Sequence, residues 1–410
     1  MVAKFAHEEV KSIMWFWYCP ILCFGEGALD HLENVAGQKC FIVTDPDLVK
    51  LGMLKILTDK LDQYGKKYEV FKDVEPDPSE ETCLKAAKQC QIYAPELIIA
   101  LGGGSSIDTA KVAWVMYERP ELGIDDMHPF QKMDLGKKAK LIAIPTTSGT
   151  GAEVTWAIVI TRRRADGITM KLEQANKECI PTMAIIDPVF PGGMPPKLTA
   201  ATGFDALGHS VEGLLATWHN DYSDAMGLHA MDLIFRYLPR AVKDGNDKEA
   251  RERMHNAATM GGLDFGNSQA IIGHSMAHVL GAFFHVTHGI GVGLFLPYIC
   301  QYCINDLNNK FAADTLGGAA KRLGLAHWTD DAKTAGTALI NKIKALQKET
   351  NLPTKVADLK IDQAEFDKQL DSMVSQCLES SVGVMSPRSI GSEEFKKLFQ
   401  YAWIGKDVDF

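Results

Sequence analysis

The chain has 410 residues, of which 46% are hydrophobic and 23% charged, and its formal net charge is −9. A chain of this length has more residues than a single hydrophobic core usually organises, so we expect two domains. The composition is that of a folded soluble protein. Acidic residues outnumber basic ones by 52 to 43. That balance, and the lack of an apolar run of membrane-spanning length, argue against nucleic acid and membrane as partners.

The first apolar stretch, residues 13–24, is too short to span a membrane and lacks the cleavage pattern of a signal peptide. We interpret it as a buried N-terminal strand or a subunit contact. The nine cysteines are scattered and odd in number, which is unlike a secreted disulfide framework. Reduced thiols in the cytoplasm fit this pattern better.

Strand and helix patterns alternate through the first half of the chain. Short apolar strands are predicted at residues 40–44, 68–71, 97–101 and 141–144, with helices at 48–64, at 79–94 and from about Asp108. Such alternation predicts a parallel sheet with right-handed crossovers. Four prolines and two glycines in residues 187–198 indicate a linker.

Helical patterns dominate beyond that linker, at residues 199–217, 221–237, 249–267 and 330–350. We therefore predict an α/β domain over residues 1–187 and a helical domain over residues 188–410.

A glycine-rich turn follows the third strand. Residues 102–106, here called the glycine loop, read Gly-Gly-Gly-Ser-Ser and open a helix. Glycines let the backbone approach an anion, and free N–H groups at a helix start face it, so we favour phosphate binding over a simple tight turn. Ile107 stands where the common dinucleotide fingerprint has its third glycine, and no Walker lysine follows.

A second polar loop follows the next strand. Residues 145–155, here called the threonine loop, read Pro-Thr-Thr-Ser-Gly-Thr-Gly-Ala-Glu-Val-Thr. Its hydroxyls suit a pyrophosphate or ribose, although helix capping is an alternative. Two such loops at the carboxyl ends of parallel strands resemble a nucleotide crevice. Asp45, after the first strand, would accept hydrogen bonds from a ribose and repel a 2′-phosphate, which favours NAD over NADP; the alternative is a helix N-cap.

Histidines concentrate in the second half. Asp205 and His209 are four residues apart on a predicted helix, as are His274 and His278, and four of the twelve histidines lie within residues 274–288. Imidazole and carboxylate ligands suit a divalent transition metal. Spacing leaves open which histidine does not bind. We interpret Glu212 as a solvated carboxylate rather than a partner of the ligands, and give His219, His229 and His255 no role.

These motifs together resemble the iron-containing (group III) metal-dependent alcohol dehydrogenases. The resemblance rests on GGGS-x-x-D-x-x-K at residues 102–111, P-T-T-x-G-T-x-x-E-V-T at 145–155, D-x-x-x-H-x-x-E at 205–212 and H-x-x-x-H-x(9)-H-G at 274–289. It spans nearly the whole chain, and the alcohol dehydrogenase half of bifunctional aldehyde–alcohol dehydrogenases looks most similar.

The resemblance implies a Rossmann-like α/β domain, an all-α metal-binding domain of the dehydroquinate synthase-like architecture, and catalysis in the cleft between them. It implies Asp205, His209, His274 and His288 as ligands of Fe²⁺, or alternatively Zn²⁺, with His278 as proton relay and His285 nearby. Cofactor contacts with NAD are implied for Asp45, Gly103, Gly104, Ser105, Ser106, Asp108, Thr146, Thr147, Thr150 and Lys171. It also implies a homodimer or higher homo-oligomer.

Two positions and one segment depart from the family pattern. Asp77 replaces a common Asn, Ala157 replaces a polar residue, and the segment 162–176 is longer and more basic than in several relatives. We interpret that segment as a solvated β-turn, with a positive field for an anionic substrate as the alternative.

The predicted activity is reversible reduction of a small aldehyde to a primary alcohol, including diol, carboxylated or sulfonated aldehydes. Two alternatives are a metal-dependent lyase or cyclase of the dehydroquinate synthase type and a non-catalytic oligomeric scaffold.

Overall fold

The computed structural model describes residues 16–163 and 169–410. The chain forms two compact units. It passes from the first unit to the second after Met194 and returns to the first unit for residues 245–262. The first unit comprises residues 18–194 and 245–262, whereas the second comprises residues 16–17, 195–244 and 263–410. One helix, residues 248–268, contributes its first part to the first unit and its last part to the second.

The first unit is an α/β unit, as predicted. Its strands are β1 Ile21–Phe24, β2 Lys39–Val43, β3 Lys67–Phe71, β4 Leu97–Gly102, β5 Lys140–Pro145, β6 Ala157–Arg163, β7 Thr169–Ala175 and β8 Met183–Ile186. Its first four helices are α1 Pro46–Lys50, α2 Met53–Gln63, α3 Glu80–Tyr93 and α4 Gly104–Glu118. Six strands form a parallel sheet in the order β1-β8-β5-β4-β2-β3, and β6 pairs antiparallel with β7.

The sheet is buried on both faces at its centre. All six residues of β4 are buried; Ile98 and Ala100 join one apolar cluster, while Leu97, Ile99 and Leu101 join another. Alternate side chains of a strand point to opposite faces, so a continuous apolar run is what a doubly covered strand requires. The strand order reverses between β2 and β4, and such a reversal places a crevice at the carboxyl ends of the two strands.

Three local predictions need correction. The interpretation of residues 13–24 as a buried strand is wrong, because β1 is an edge strand with Ile21 60% and Phe24 69% exposed; the alternative of a subunit contact stays a prediction. The pattern over residues 48–64 divides into α1 and α2 because Gly52 adopts a left-handed φ of 76°. The linker is shorter than predicted, since Pro196 already opens a helix at a position that proline favours.

The second unit is helical, as predicted. Its helices are α5 Pro196–Leu215, α6 Asp221–Lys243, the last part of α7 Lys248–Ser268, α8 Ile272–Phe284, α9 His288–Ile304, α10 Phe311–Arg322, α11 Ala332–Glu349, α12 Gln363–Glu379 and α13 Ser392–Ile404. Within the described part of the chain, no helix combines the length and apolar character needed to cross a membrane.

Candidate functional sites

Four side chains of the ligand type converge in the second unit. The Oδ1 atom of Asp205 lies 3.3 Å from Nε2 of His288, 3.8 Å from Nε2 of His274 and 4.0 Å from Nε2 of His209. One ligand atom from each of Asp205, His209 and His274 also lies within 4.8 Å of the others. Metal–ligand bonds of about 2.1 Å in a tetrahedron separate neighbouring ligand atoms by roughly 3.4 Å. The cluster therefore has the donor set and nearly the dimensions of a divalent metal site.

Three helices supply this cluster. Asp205 and His209 lie one turn apart on α5, His274 lies near the start of α8, and His288 is the first residue of α9. The start of α9 can approach α5 closely because residue 289 is glycine: a Cβ there would lie 2.1 Å from the carbonyl oxygen of Ala201. Close backbone approach thus places His288 against Asp205.

Burial differs across the cluster. The side chains of Asp205, His209 and His274 are at most 5% exposed, whereas that of His288 is 32% exposed. Burial alone would raise the pKa of Asp205, but the imidazoles of His209 and His288 outweigh it and hold that pKa well below its usual range. The carboxylate is therefore ionised, and the side occupied by His288 is the accessible one.

Glu212 supports the cluster from behind, contrary to our interpretation of it as a solvated carboxylate. It is fully buried, and its Oε1 lies 3.0 Å from Nδ1 of His274. Its Oε2 accepts the backbone N–H of Ile271 at 2.7 Å. A carboxylate behind a ligating histidine fixes the ring and its tautomer. Spacing carried this signal, because Glu212 is seven residues from Asp205 and shares its helix face.

Phe265 is a neighbour of the cluster that sequence reasoning missed. Its ring stacks on His209 with centroids 4.0 Å apart and an interplanar angle of 13°. No spacing signal points to it, because the contact joins α7 to α5.

His278 lies beside the cluster. Its ring centroid is 4.9 Å from that of His288 and 6.4 Å from that of His274, and the residue is half-buried. His285 is an exposed residue with a φ of 55° that ends α8, and its backbone N–H donates to Gly281. Of these two histidines, His278 is the one with measured contacts to the cluster.

The glycine loop and the threonine loop lie side by side in the first unit. They follow the neighbouring strands β4 and β5, and the backbone N–H of Thr146 donates to the carbonyl of Gly102 at 3.0 Å. A Cβ on Gly103 would lie 3.2 Å from Oγ1 of Thr147, and one on Gly104 would lie 3.1 Å from Cγ2 of Thr150. Only small residues allow the two loops to pack this closely.

Exposure divides the loop residues into two sets. Ser106, Thr146 and Ser148 are buried, whereas the following are half-buried: Gly103, Gly104, Ser105, Thr147 and Thr150. Helix α4 has 15 residues and begins at Gly104, so the unpaired backbone N–H groups of its first turn lie beside these half-buried residues. This surface, at the carboxyl ends of β4 and β5, is suited to a phosphate group.

Asp45 and Asp108 have partners within the protein. Oδ1 of Asp45 accepts the backbone N–H groups of Asp47 and Leu48, both at 2.9 Å, so the N-cap interpretation describes the observed contact. Asp108 is buried, which raises its pKa; its Oδ1 lies 3.3 Å from Nζ of Lys111, and its Oδ2 accepts the N–H of Val159 at 2.9 Å. The hydrogen bond from Val159 joins α4 to β6.

Two basic residues of the segment 162–176 are paired with carboxylates. Arg162 forms paired hydrogen bonds of 2.7 to 3.1 Å with Glu80 and Asp125. Lys171 on β7 pairs with Asp77, one of the departures from the family pattern, and its Nζ lies 3.4 Å from Oγ1 of Thr161. Arg164, also part of this segment, lies outside the described residues. The contacts of Arg162 and Lys171 do not favour a positive field for an anionic substrate.

Comparison with known proteins identifies the family. Residues 20–188 match iron-containing alcohol dehydrogenases, and residues 199–403 match the C-terminal part of that family. The NADPH-dependent butanol dehydrogenase of Clostridium saccharobutylicum is 36% identical over 94% of this chain and 97% of its own length. The bifunctional aldehyde-alcohol dehydrogenase AdhE of Escherichia coli (strain K12) is 32% identical over 98% of this chain, which spans 48% of that protein.

Solved structures agree with this assignment. The 1,3-propanediol oxidoreductase structure has a TM-score of 0.87 at 26% identity and covers 95% of this chain and 100% of its own. Sulfoacetaldehyde reductase from Bifidobacterium kashiwanohense, solved in complex with NAD⁺, has a TM-score of 0.82 at 28% identity and covers 95% and 99%. The chain belongs to the iron-containing alcohol dehydrogenase family, and it is an oxidoreductase that acts on CH–OH groups.

Proposed function

We propose that this member of the family reversibly reduces a small aldehyde to a primary alcohol with NAD(H), at a divalent metal held by Asp205, His209, His274 and His288. The convergence of these four side chains carries the proposal. Relatives named butanol dehydrogenase, 1,3-propanediol oxidoreductase and sulfoacetaldehyde reductase support short substrates, including functionalised ones. Fe²⁺ is the proposed metal and Zn²⁺ the alternative, because three imidazoles and a carboxylate accept both.

The metal, when bound, supplies Lewis-acid stabilisation of the charge on the substrate oxygen during hydride transfer. One carboxylate among neutral imidazoles leaves a divalent ion with net positive charge, which that role requires. Glu212 orients His274 from behind, and the exposed side at His288 admits the substrate.

His278 is the proposed proton relay. It lies beside His288 and is half-buried, so it has access both to the cluster and to solvent. A histidine titrates near neutral pH, which suits exchange of a proton with the substrate oxygen.

The nucleotide is proposed to place its pyrophosphate on the half-buried residues of the glycine and threonine loops. The NADPH-dependent relative and the relative solved with NAD⁺ support a nicotinamide cofactor. Both capping bonds of Asp45 use Oδ1, so capping of α1 is compatible with a ribose contact through Oδ2. This carboxylate would repel a 2′-phosphate, which is our reason for NAD. Direct contacts of Ser106, Thr146, Asp108 and Lys171 with the cofactor stay predictions.

A homo-oligomer and a cytoplasmic location complete the proposal. The edge strand β1 exposes Ile21 and Phe24, and an exposed apolar edge is a natural pairing surface for a second copy. Seven of the nine free cysteines are buried, which fits a reducing compartment.

Replacement of His274 by Ala tests the proposal. The variant should lose bound metal, measured by elemental analysis of anaerobically prepared protein, and should lose oxidation of NADH with a panel of aldehydes. Full turnover with stoichiometric metal in this variant would overturn the ligand assignment. Wild-type protein that oxidises no NADH with any aldehyde would overturn the proposed reaction.

A further inference from the structure

A row of contacts from helix α7 lies behind the threonine loop. His255, Thr259 and Gly262 face this loop, and their spacing of four and three residues places them on one side of the helix. Nδ1 of His255 lies 3.1 Å from Oγ of Ser148, and Oγ1 of Thr259 donates to Oε1 of Glu153 at 2.9 Å. All these residues belong to the first unit.

The third contact in this row joins two backbones. A Cβ on Gly262 would lie 2.7 Å from Cα of Gly151, and one on Gly151 would lie 2.4 Å from Cα of Gly262. Gly151 also has a φ of 61°, which glycine adopts without strain. The backbone of the threonine loop therefore contacts the backbone of α7 directly, so the conformation of the loop depends on the residues that α7 places against it.

The two polar contacts are buried. His255 is 1%, Ser148 5% and Glu153 2% exposed, and burial lowers the pKa of His255 to about 3. The ring is thus neutral at physiological pH. A buried polar side chain without a partner is costly, so an apolar residue would serve α7 better if only packing were needed. The hydrogen bond with Ser148 is therefore the property for which this position needs a histidine.

We propose that His255 is a positioning residue for nucleotide binding: through Ser148 it fixes the threonine loop in the conformation that presents Thr147 and Thr150 to the cofactor. Ser148 is buried between these half-buried threonines; its hydroxyl contacts His255 on the helix, while the threonines keep part of their surface exposed. This inference rests on the proposed nucleotide site. It assigns α7 a role in nucleotide binding that is separate from the metal cluster.

Direct binding of NADH tests this role. Asn can place a polar atom where Nδ1 of histidine lies, whereas Leu fills similar volume without one. His255→Leu and Ser148→Ala should each weaken NADH binding about fivefold, as expected for one lost buried hydrogen bond, and His255→Asn should restore most of it. The double variant His255→Leu/Ser148→Ala should bind no more weakly than either single variant, because both remove one interaction.

NADH fluorescence titration provides the dissociation constants, and elemental analysis provides the metal content, which should be unchanged in every variant. A thermal melt of each variant identifies loss of folding. Wild-type affinity in folded His255→Leu, or additive losses in the double variant, would overturn the positioning role. Absence of NADH binding by the wild-type protein would instead overturn the proposed nucleotide site.

Discussion

The replacement of Glu212 by Gln separates a structural from a metal-supporting role for this buried carboxylate. In the native chain one oxygen lies 3.0 Å from Nδ1 of His274 and the other accepts the backbone N–H of Ile271. A carboxylate offers acceptors only, so a contact at this distance favours the tautomer of His274 with its ring proton on Nδ1. Nε2, which lies 3.8 Å from Asp205, is then unprotonated and able to bind a metal.

Glutamine has the same shape but only one acceptor oxygen. Its amide group must point a donor either at Nδ1 of His274 or at the N–H of Ile271. The first choice favours the tautomer with the proton on Nε2, and the second leaves a buried N–H facing another donor. Loss of such a supporting carboxylate weakens metal affinity by about 10- to 100-fold. That corresponds to about 1.4 to 2.7 kcal/mol of binding free energy.

Competition for Zn²⁺ or anaerobic Fe²⁺ against a chromophoric chelator measures this change without any turnover. Glu153→Gln is the matched control, because it makes the same substitution at a glutamate that is also buried and also accepts a hydrogen bond, from Thr259. The control should retain native metal affinity. If Glu212→Gln retained it too, or if both variants lost it equally, the supporting role would be refuted.

Three further predictions concern stability. Burial raises the pKa of Asp264 well above its usual value, so the free energy of unfolding falls as pH rises above the unfolded-state pKa, by about 1.4 kcal/mol per pH unit until the folded-state pKa is reached. Asp264→Asn should flatten this decline in thermal melts between pH 5 and 9. Equal slopes for the variant and the native protein would contradict the prediction. Burial lowers the pKa of His255 to about 3, so folding loses about 2 kcal/mol as pH falls from neutral to 5, and His255→Asn should abolish that loss in urea titrations. Gly289→Ala must displace α9 from Ala201, so it should lower the free energy of unfolding by about 1 to 3 kcal/mol and should also reduce the metal content of the protein. In the control Gly192→Ala the new Cβ meets no atom within 4 Å, so both stability and metal content should stay unchanged.

The sequence by itself determined the local structure. Short runs of four or five residues predict strands, and the alternation of these runs with helical patterns predicts the parallel sheet that the structure contains. The positions of Asp205 and His209 one turn apart follow from the helical repeat alone. These features depend on residues close in sequence, so periodicity is sufficient to find them.

The sequence did not decide between outcomes where a local pattern allowed two of them. Gly52 lies within a continuous helical pattern, yet its left-handed backbone ends one helix and begins the next. The carboxylate of Asp45 suits both a helix cap and a ribose, and the contact that the structure contains is the cap. Neither choice is encoded in the spacing of apolar residues.

Only the tertiary structure decided how separate helices meet. Spacing left open which histidines surround Asp205; the close approach that Gly289 permits brings His288 to 3.3 Å, while His278 lies one ring farther out. The same packing buries Glu212 behind His274 and stacks Phe265 on His209. Distances between helices depend on how whole surfaces fit together, and a repeat of 3.6 residues carries no information about that fit.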